Sequence, residues 1–132
     1  MFFSIENISA HKGVFPVPPK YIFPTQITGM GLLFVLVRIL SNQTRIFIDY
    51  AHTPDALETS LKTLKKHYGV KPDVVFGCGG ERDKKKRAMM ARISERNAEE
   101  IYITDDNPRN ENPNLIRQMI ISGFKKKENF YN

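Results

Sequence analysis

The stretch VVFGCGGERDKKKR, residues 74–87, decides the fold of this chain. Apolar, β-branched residues lead into a Gly-Cys-Gly-Gly turn, and an unbroken run of charged side chains follows the turn. This pattern predicts a buried strand that ends in a tight turn and then passes into a helix. Ligands of parallel α/β sheets bind beyond the carboxyl ends of the strands, so the turn is also a candidate ligand site.

The order strand, polar turn, helix occurs three times from residue 45 onward. RIFIDY, residues 45–50, and EIYIT, residues 100–104, are the other two predicted strands. Thr53 and Gly69 are suited to begin and end the first helix, residues 84–97 form the second, and Asn112 starts the third. This alternation predicts an α/β fold with parallel strands and right-handed crossovers. Helical spacing places these residues on inner faces: Leu57, Leu61, Leu64, Tyr68, Met89, Ile93, Leu115, Ile116, Met119 and Ile120.

The first 44 residues give no comparable pattern. Four prolines between residues 16 and 24 interrupt regular structure, and no capped helix follows them. We therefore divide the chain into an irregular N-terminal segment of uncertain fold, residues 1–44, and a domain at residues 45–132. The apolar run MGLLFVLV, residues 30–37, is far shorter than the roughly 20 residues of a membrane span, so we expect none.

The composition limits the environment and the partners of the chain. The net charge is +6 over 132 residues, which permits anionic partners without choosing among them. The basic run KKKR, residues 84–87, has no interleaved aromatic residues and belongs to no nucleic-acid motif, so we expect a solvated helix face and no nucleic-acid partner. A single cysteine, Cys78, excludes an internal disulfide framework and fits a cytoplasmic location; we expect it to be a packed residue.

The segment DYAHTPD, residues 49–55, follows the first strand. A carboxylate at the strand end, Asp49, is able to accept ribose hydroxyls, and the imidazole of His52 is able to contact a nucleotide. The alternative is that Asp55 only complements the dipole of the following helix and that His52 is an ordinary surface residue.

Glycines and one arginine distinguish the segment after the second strand. The glycines allow the backbone to approach a ligand closely, or they simply form a strand-to-helix turn. They do not form a phosphate-binding loop, because no G-x-x-x-x-G-K-[ST] pattern occurs in the chain. Arg82 lies in the turn, where a guanidinium is able to grip a carboxylate with two bonds.

The segment ITDDNPR, residues 103–109, follows the third strand. Asn107 precedes Pro108 and is therefore held extended, which presents Asp106, Asn107 and Arg109 together. Carboxylate and amide oxygens suit an ammonium group, and guanidinium nitrogens suit a carboxylate, so the set is appropriate for an amino acid. The alternative is an Asx-type turn with incidental charges.

Together, IDYAHTPDAL, VVFGCGGERDKKKR and ITDDNPR resemble, in order and spacing, the C-terminal domain of the Mur ligases, over residues 46–124. The resemblance is closest to the branch that adds meso-diaminopimelate during peptidoglycan biosynthesis. ISAHKGVF, residues 8–15, is more faintly similar to the stretch that ends the family's central domain.

The resemblance implies a Rossmann-like, mostly parallel sheet with flanking helices. It also implies an ATP-dependent reaction in which the carboxylate of a UDP-MurNAc-dipeptide is phosphorylated and then attacked by the amine of diaminopimelate. By position, the diaminopimelate-binding residues are Arg82, Asp106, Asn107, Pro108 and Arg109. Asp49 and His52 match positions near the nucleotide. In the family, Mg²⁺ and the ATP phosphates are held by the central domain, so we assign no catalytic or metal-binding residue here.

Several parts of the family pattern are missing from this sequence. The UDP-binding domain and the central domain with its phosphate-binding loop have no counterpart, and the family continues past the third helix into another strand. We therefore expect a fold that is incomplete at its C-terminus, with an unpaired sheet edge, and a chain that is inactive alone. Two alternatives stay open: a subunit of a split ligase whose missing domains lie on another chain, and a basic nucleotide- or nucleic-acid-binding α/β module.

Overall fold

The computed structural model describes residues 2–5, 35–40, 44–125 and 130–131. The expected similarity of residues 8–15 lies outside these ranges. In chain order the elements are β1 Phe2–Ile5, β2 Val35–Ile39, β3 Arg45–Ile48, α1 Pro54–Tyr68, β4 Asp73–Phe76, α2 Lys85–Asn97, β5 Ile101–Ile103, α3 Pro113–Ile121 and β6 Phe130–Tyr131.

The strands form one sheet in the order β2-β3-β1-β4-β5-β6. β4, β5 and β6 are parallel neighbours, whereas β1 is antiparallel to both β3 and β4, and β2 is antiparallel to β3. The predicted α/β class is confirmed, and β3 runs in the same direction as β4. The two are not neighbours, because β1 lies between them. Both β1 and β2 come from the segment for which the sequence indicated no fold.

The first helix shows how closely local sequence determines its own ends. The hydroxyl of Thr53 accepts a hydrogen bond from the N–H of Ala56 at 3.3 Å, and Pro54 occupies the first turn. At the other end, Gly69 adopts the left-handed conformation with φ 78° and donates its N–H to the carbonyl of Lys65. The predicted start and stop are both confirmed, and the leucines at 57, 61 and 64 are buried.

The inner faces of α2 and α3 are only partly those predicted. Ile93, Ile116 and Ile120 are buried as expected, but Met89 is 49% exposed and Leu115 is 53% exposed. In α2 the buried face carries polar side chains among its apolar ones, which obscures the pattern; its members are Arg87, Met90, Ala91, Ile93 and Ser94. A nine-residue helix such as α3 presents only a narrow buried stripe, and Met119, at its margin, is 37% exposed.

The core lies between the sheet and these helices. It is formed by side chains of β3, β4, β5 and all three helices, namely Phe47, Leu57, Leu61, Leu64, Val74, Phe76, Met90, Ala91, Ile93, Ile101, Ile103, Ile116 and Ile120, with Cys78 and Ala98. α2 packs against both α1 and α3. Within the described ranges, none of the helices has the length and apolar character that crossing a bilayer requires.

The expectation of an unpaired edge beyond the third predicted strand is wrong. β6 pairs with β5 in parallel, with Ile101 opposite Phe130 and Tyr102 opposite Tyr131. The rings of Tyr102 and Tyr131 stack with centroids 4.9 Å apart. A strand of two residues that follows a lysine-rich segment has no periodic signal, so the sequence did not reveal it.

Candidate functional site

Two polar loops lie side by side at the carboxyl ends of β4 and β5. We call residues 77–83 the first site loop and residues 104–111 the second site loop. They are neighbours because β4 and β5 are adjacent and parallel. The amide of Thr104 donates to the carbonyl of Phe76 at 3.0 Å, and the amide of Gly80 donates to the carbonyl of Asn107 at 2.9 Å. The parallel-sheet rule predicts that the polar segments after all three strands lie side by side at one edge. The segments after β4 and β5 are adjacent, whereas β1 lies between their strands and β3, so the segment after β3 is not their direct neighbour.

The glycines of the first site loop allow the two backbones to pack directly on each other. A Cβ on Gly77 would lie 2.4 Å from the carbonyl oxygen of Thr104, and a Cβ on Gly80 would lie 1.8 Å from that of Pro108. Neither distance admits a side chain. The glycines thus serve a close approach, but of the second site loop rather than of a ligand.

Gly79 faces the polar side chains of the second site loop. The position of a Cβ on Gly79 lies 3.5 Å from Oδ2 of Asp106 and 3.6 Å from Nη1 of Arg109, which is ordinary contact distance. Nη1 of Arg109 also donates a hydrogen bond to the carbonyl of Gly80. The structure therefore brings the carboxylate of Asp106 and the guanidinium of Arg109 together beside Gly79, where the two loops meet.

The second site loop is an Asx-type turn that still leaves polar groups at the surface. Oδ1 of Asn107 accepts from the amide of Arg109 at 3.1 Å, and Oδ1 of Asp106 accepts from the amide of Asn107 at 2.7 Å. Arg109 has φ 49°, a left-handed conformation that is unfavourable for a side chain larger than glycine. The side chains of Asp106, Asn107 and Arg109 are exposed, and Pro108 is half-buried. The loop is therefore an Asx-type turn and at the same time leaves the side chains of Asp106, Asn107 and Arg109 accessible from solvent.

Arg82 is less constrained than its position in the turn suggested. It is exposed and makes no hydrogen bond or ion pair with any residue in the described ranges. Its membership of the same site as Asp106 and Arg109 stays a prediction, because no contact joins it to either.

Asp49 is engaged by its own chain. Asp49 is 8% exposed. Its Oδ1 accepts a hydrogen bond from the amide of Ala51 at 3.0 Å, and its Oδ2 accepts one from the hydroxyl of Ser60 at 2.5 Å. These bonds tie the end of β3 to α1. The nucleotide role of Asp49 stays a prediction, and any ribose would have to share oxygens that are already bonded.

His52 lies at the surface of the loop that follows β3. Its Nδ1 is 3.1 Å from the carbonyl oxygen of Tyr50, and its ring lies 4.9 Å from the exposed ring of Tyr50. Nζ of Lys86, on α2, donates to the carbonyl of His52 at 2.9 Å. This contact links the loop after β3 to the helix that follows the first site loop, although β1 separates their strands.

The expectation that Arg87 belongs to a solvated face is wrong. Arg87 is 0% exposed, and its two terminal nitrogens donate to the two carboxylate oxygens of Glu111 at 3.0 and 2.9 Å. The bonds from Arg87, followed by one from the Glu81 amide, lower the pKa of Glu111 to about 2. Arg87 stands three residues before the buried Met90, so helical spacing could have placed it inward. The partner, 24 residues away, has no local signal.

Cys78 is a packed residue, as expected. It is buried, and its Sγ lies 3.8 Å from Sδ of Met90. Burial raises the pKa of the thiol to about 11, so the thiolate is scarce near neutral pH. In the part of the chain that the structure describes, His, Cys, Asp and Glu form no group of three that could hold a metal ion.

A parallel pair of strands with two interlocked polar loops at its carboxyl end is the arrangement expected of a Mur ligase C-terminal domain. Residues 35–131 match the family domain described as "Mur ligase, glutamate ligase domain". The chain belongs to this family.

Two similar proteins share one ligase name. A UDP-N-acetylmuramoyl-L-alanyl-D-glutamate–2,6-diaminopimelate ligase of Rickettsia montanensis is 59% identical over 87 residues, which are 64% of this chain and 18% of that protein. The ligase of the same name from Buchnera aphidicola subsp. Schizaphis graminum is 54% identical over 84 residues, 64% of this chain and 17% of its own length. The match thus spans 17–18% of the length of these relatives.

A solved structure of a protein with the same name has a TM-score of 0.54 and 46% sequence identity. The superposition covers 60% of this chain and 16% of that protein. At this level of identity the likeness supports the fold.

Proposed function

We propose that this chain acts as the amino-acid-recognising domain of a ligase that adds meso-diaminopimelate to UDP-MurNAc-L-Ala-D-Glu in peptidoglycan biosynthesis. The observation that carries the proposal is the convergence of Asp106 and Arg109 beside Gly79, at the carboxyl edge of two parallel strands. The relatives named for diaminopimelate support the choice of amino acid.

The proposed chemistry is recognition by charge. Meso-diaminopimelate differs from lysine by one additional carboxylate at its far end, so a site that selects it needs a cation for that group. Arg109 supplies a guanidinium whose Nη1 is already fixed by Gly80, and Arg82 supplies a second one that has no partner among the described residues. Asp106 and Asn107 are the groups that would meet an ammonium. One charged hydrogen bond is worth roughly 1.5–3 kcal/mol, or about tenfold or more in affinity.

We place ATP, Mg²⁺ and the transferred phosphate outside this chain. The sequence has no phosphate-binding loop, and Asp49 already accepts two bonds from its own chain. On this proposal residues 1–132 form no amide product by themselves and act together with the domains that bind ATP and the UDP-linked substrate. The cytoplasmic location is part of the same proposal, supported by the free thiol of Cys78.

The structure of α2 weakens the alternative that the chain is a basic nucleic-acid-binding module. Of the four cations at residues 84–87, Arg87 is buried and paired, and Lys86 is half-buried and bonded to His52. Only Lys84 and Lys85 are exposed, and Nζ of Lys84 lies 3.7 Å from the carboxylate of Glu111. That leaves a weaker basic surface than the sequence suggested.

The test is an NMR titration of the whole ¹⁵N-labelled chain with meso-diaminopimelate and, separately, with lysine. We expect meso-diaminopimelate to shift the amides of residues 79–82, 105–107, 109 and 110, and lysine to do so at least about tenfold more weakly. Arg109→Ala should abolish most of the response, whereas Lys85→Ala, on an exposed side chain, should leave it intact. A response that is equal for both amino acids, or equal in both variants, would refute the proposed site.

A further inference from the structure

One buried guanidinium, that of Arg87, forms hydrogen bonds with both site loops. Arg87, on α2, donates from Nη1 and Nη2 to the carboxylate of Glu111 in the second site loop. Its Nη2 also donates to the carbonyl of Gly79 in the first site loop, at 3.3 Å. A single fully buried side chain therefore fixes the position of each loop relative to α2.

Glu111, in the second site loop, also bonds directly to the first site loop. Its Oε1 accepts a hydrogen bond of 2.6 Å from the amide of Glu81, in the first site loop. Glu81 has φ 52°, a left-handed conformation that persists only when surrounding contacts hold it. The carboxylate of the second loop is thus bonded both to the helix and to the strained turn of the first loop.

We propose that Arg87 and Glu111 are a positioning pair that holds the two site loops in the register placing Asp106 and Arg109 beside Gly79. On this proposal the pair orients the two loops and does not itself contact the ligand. Its effect on amino-acid affinity rests on the proposed function, whereas its effect on loop register does not. A displacement of about 1 Å is enough to weaken a preorganised site by orders of magnitude, so register matters as much as the presence of the residues.

A positioning role differs measurably from simple stabilisation. A buried ion pair replaced by apolar residues of similar volume often leaves stability unchanged or increased, whereas loss of one partner leaves an uncompensated charge. The double variant Arg87→Met/Glu111→Met should therefore fold with a stability close to that of the parent chain. It should nevertheless lose the bonds from Arg87 to Gly79 and from Glu111 to Glu81, and hence the register.

The experiment uses the whole chain and two readouts, amide hydrogen exchange and the dissociation constant for meso-diaminopimelate. The informative amide is that of Gly80, because it donates to Asn107 and not to either member of the pair. In Glu111→Gln and in the double variant, we expect its exchange to accelerate by about tenfold or more and diaminopimelate to bind about tenfold more weakly. Amides of Leu61 and Leu64 in α1 should exchange at the parental rate.

The matched control is Asp105→Asn, which removes the ion pair of Asp105 with Arg117 on the exposed side of the same loop. We expect it to change both readouts by less than about threefold. Unaltered Gly80 exchange in Glu111→Gln, or parental affinity in the double variant, overturns the inference. If the parent chain shows no response to diaminopimelate, the proposed function fails, and the Gly80 exchange rate alone decides whether the pair sets the register.

Discussion

Replacing Gly80 by alanine tests the interlocking of the two site loops most directly. The new Cβ would lie 1.8 Å from the carbonyl oxygen of Pro108 and 2.5 Å from its carbonyl carbon, whereas real Cβ contacts stay at 3.0 Å or more. The loops must therefore separate by at least 1.2 Å. Gly80 does not have a positive φ, so the effect is one of space and not of backbone preference.

The magnitude follows from the bonds that such a separation breaks. The 2.9 Å bond from the Gly80 amide to Asn107 and the bond from Arg109 to the Gly80 carbonyl would both be lost. Two bonds at about 0.5–1.5 kcal/mol each, together with about 1–3 kcal/mol of overpacking strain, destabilise the fold by about 2–6 kcal/mol. For a chain of this length that lowers the melting temperature by roughly 6 °C or more.

The assay is thermal and urea unfolding of the whole chain, with Gly79→Ala as the matched control. The Cβ of that variant meets Asp106 and Arg109 at 3.5 and 3.6 Å, so stability should change by less than about 1 kcal/mol. Because the added methyl group occupies the space between these two side chains, diaminopimelate binding should still weaken. Equal stability of Gly80→Ala and the parent chain would show that the loops do not pack as described.

Two further changes test buried polar contacts. Ser60→Ala leaves Oδ2 of the buried Asp49 without its hydroxyl donor and should lower the free energy of unfolding by about 1–3 kcal/mol, measured in urea; no loss would mean that the bond carries little. The pKa of Glu111 is lowered from its ordinary value of 4.5 to about 2, so its pairing stabilises the fold fully above pH 4.5 and is lost as the pH falls towards 2. The urea midpoint of the parent chain should therefore fall between pH 4.5 and 2 more steeply than that of Glu111→Gln, and parallel curves would contradict the assignment.

The elements that local sequence specifies were predictable. Thr53, Pro54 and Gly69 define α1 through bonds that span three or four residues, so no knowledge of the rest of the chain is needed. The parallel pairing of β4 with β5 follows from the crossover rule. The same reasoning predicted that three polar segments share one edge, and it holds for the two after β4 and β5, whereas β1 separates β3 from them. The diaminopimelate site was suggested by a resemblance, and the structure supports only the convergence of Asp106 and Arg109.

Contacts between residues far apart in the chain were decided by the tertiary structure alone. The insertion of β1 between β3 and β4 depends on pairing across more than forty residues, for which the short segment Phe2–Ile5 carries no signal. Arg87 is buried beside Glu111, which lies in the loop after β5. The carboxylate of Glu111 compensates the charge of the buried guanidinium, and local sequence does not reveal this partner. The sequence determined that glycines end β4, but only the approach of Pro108 shows that the space beside Gly80 belongs to the neighbouring loop, since backbone proximity is a property of the assembled sheet.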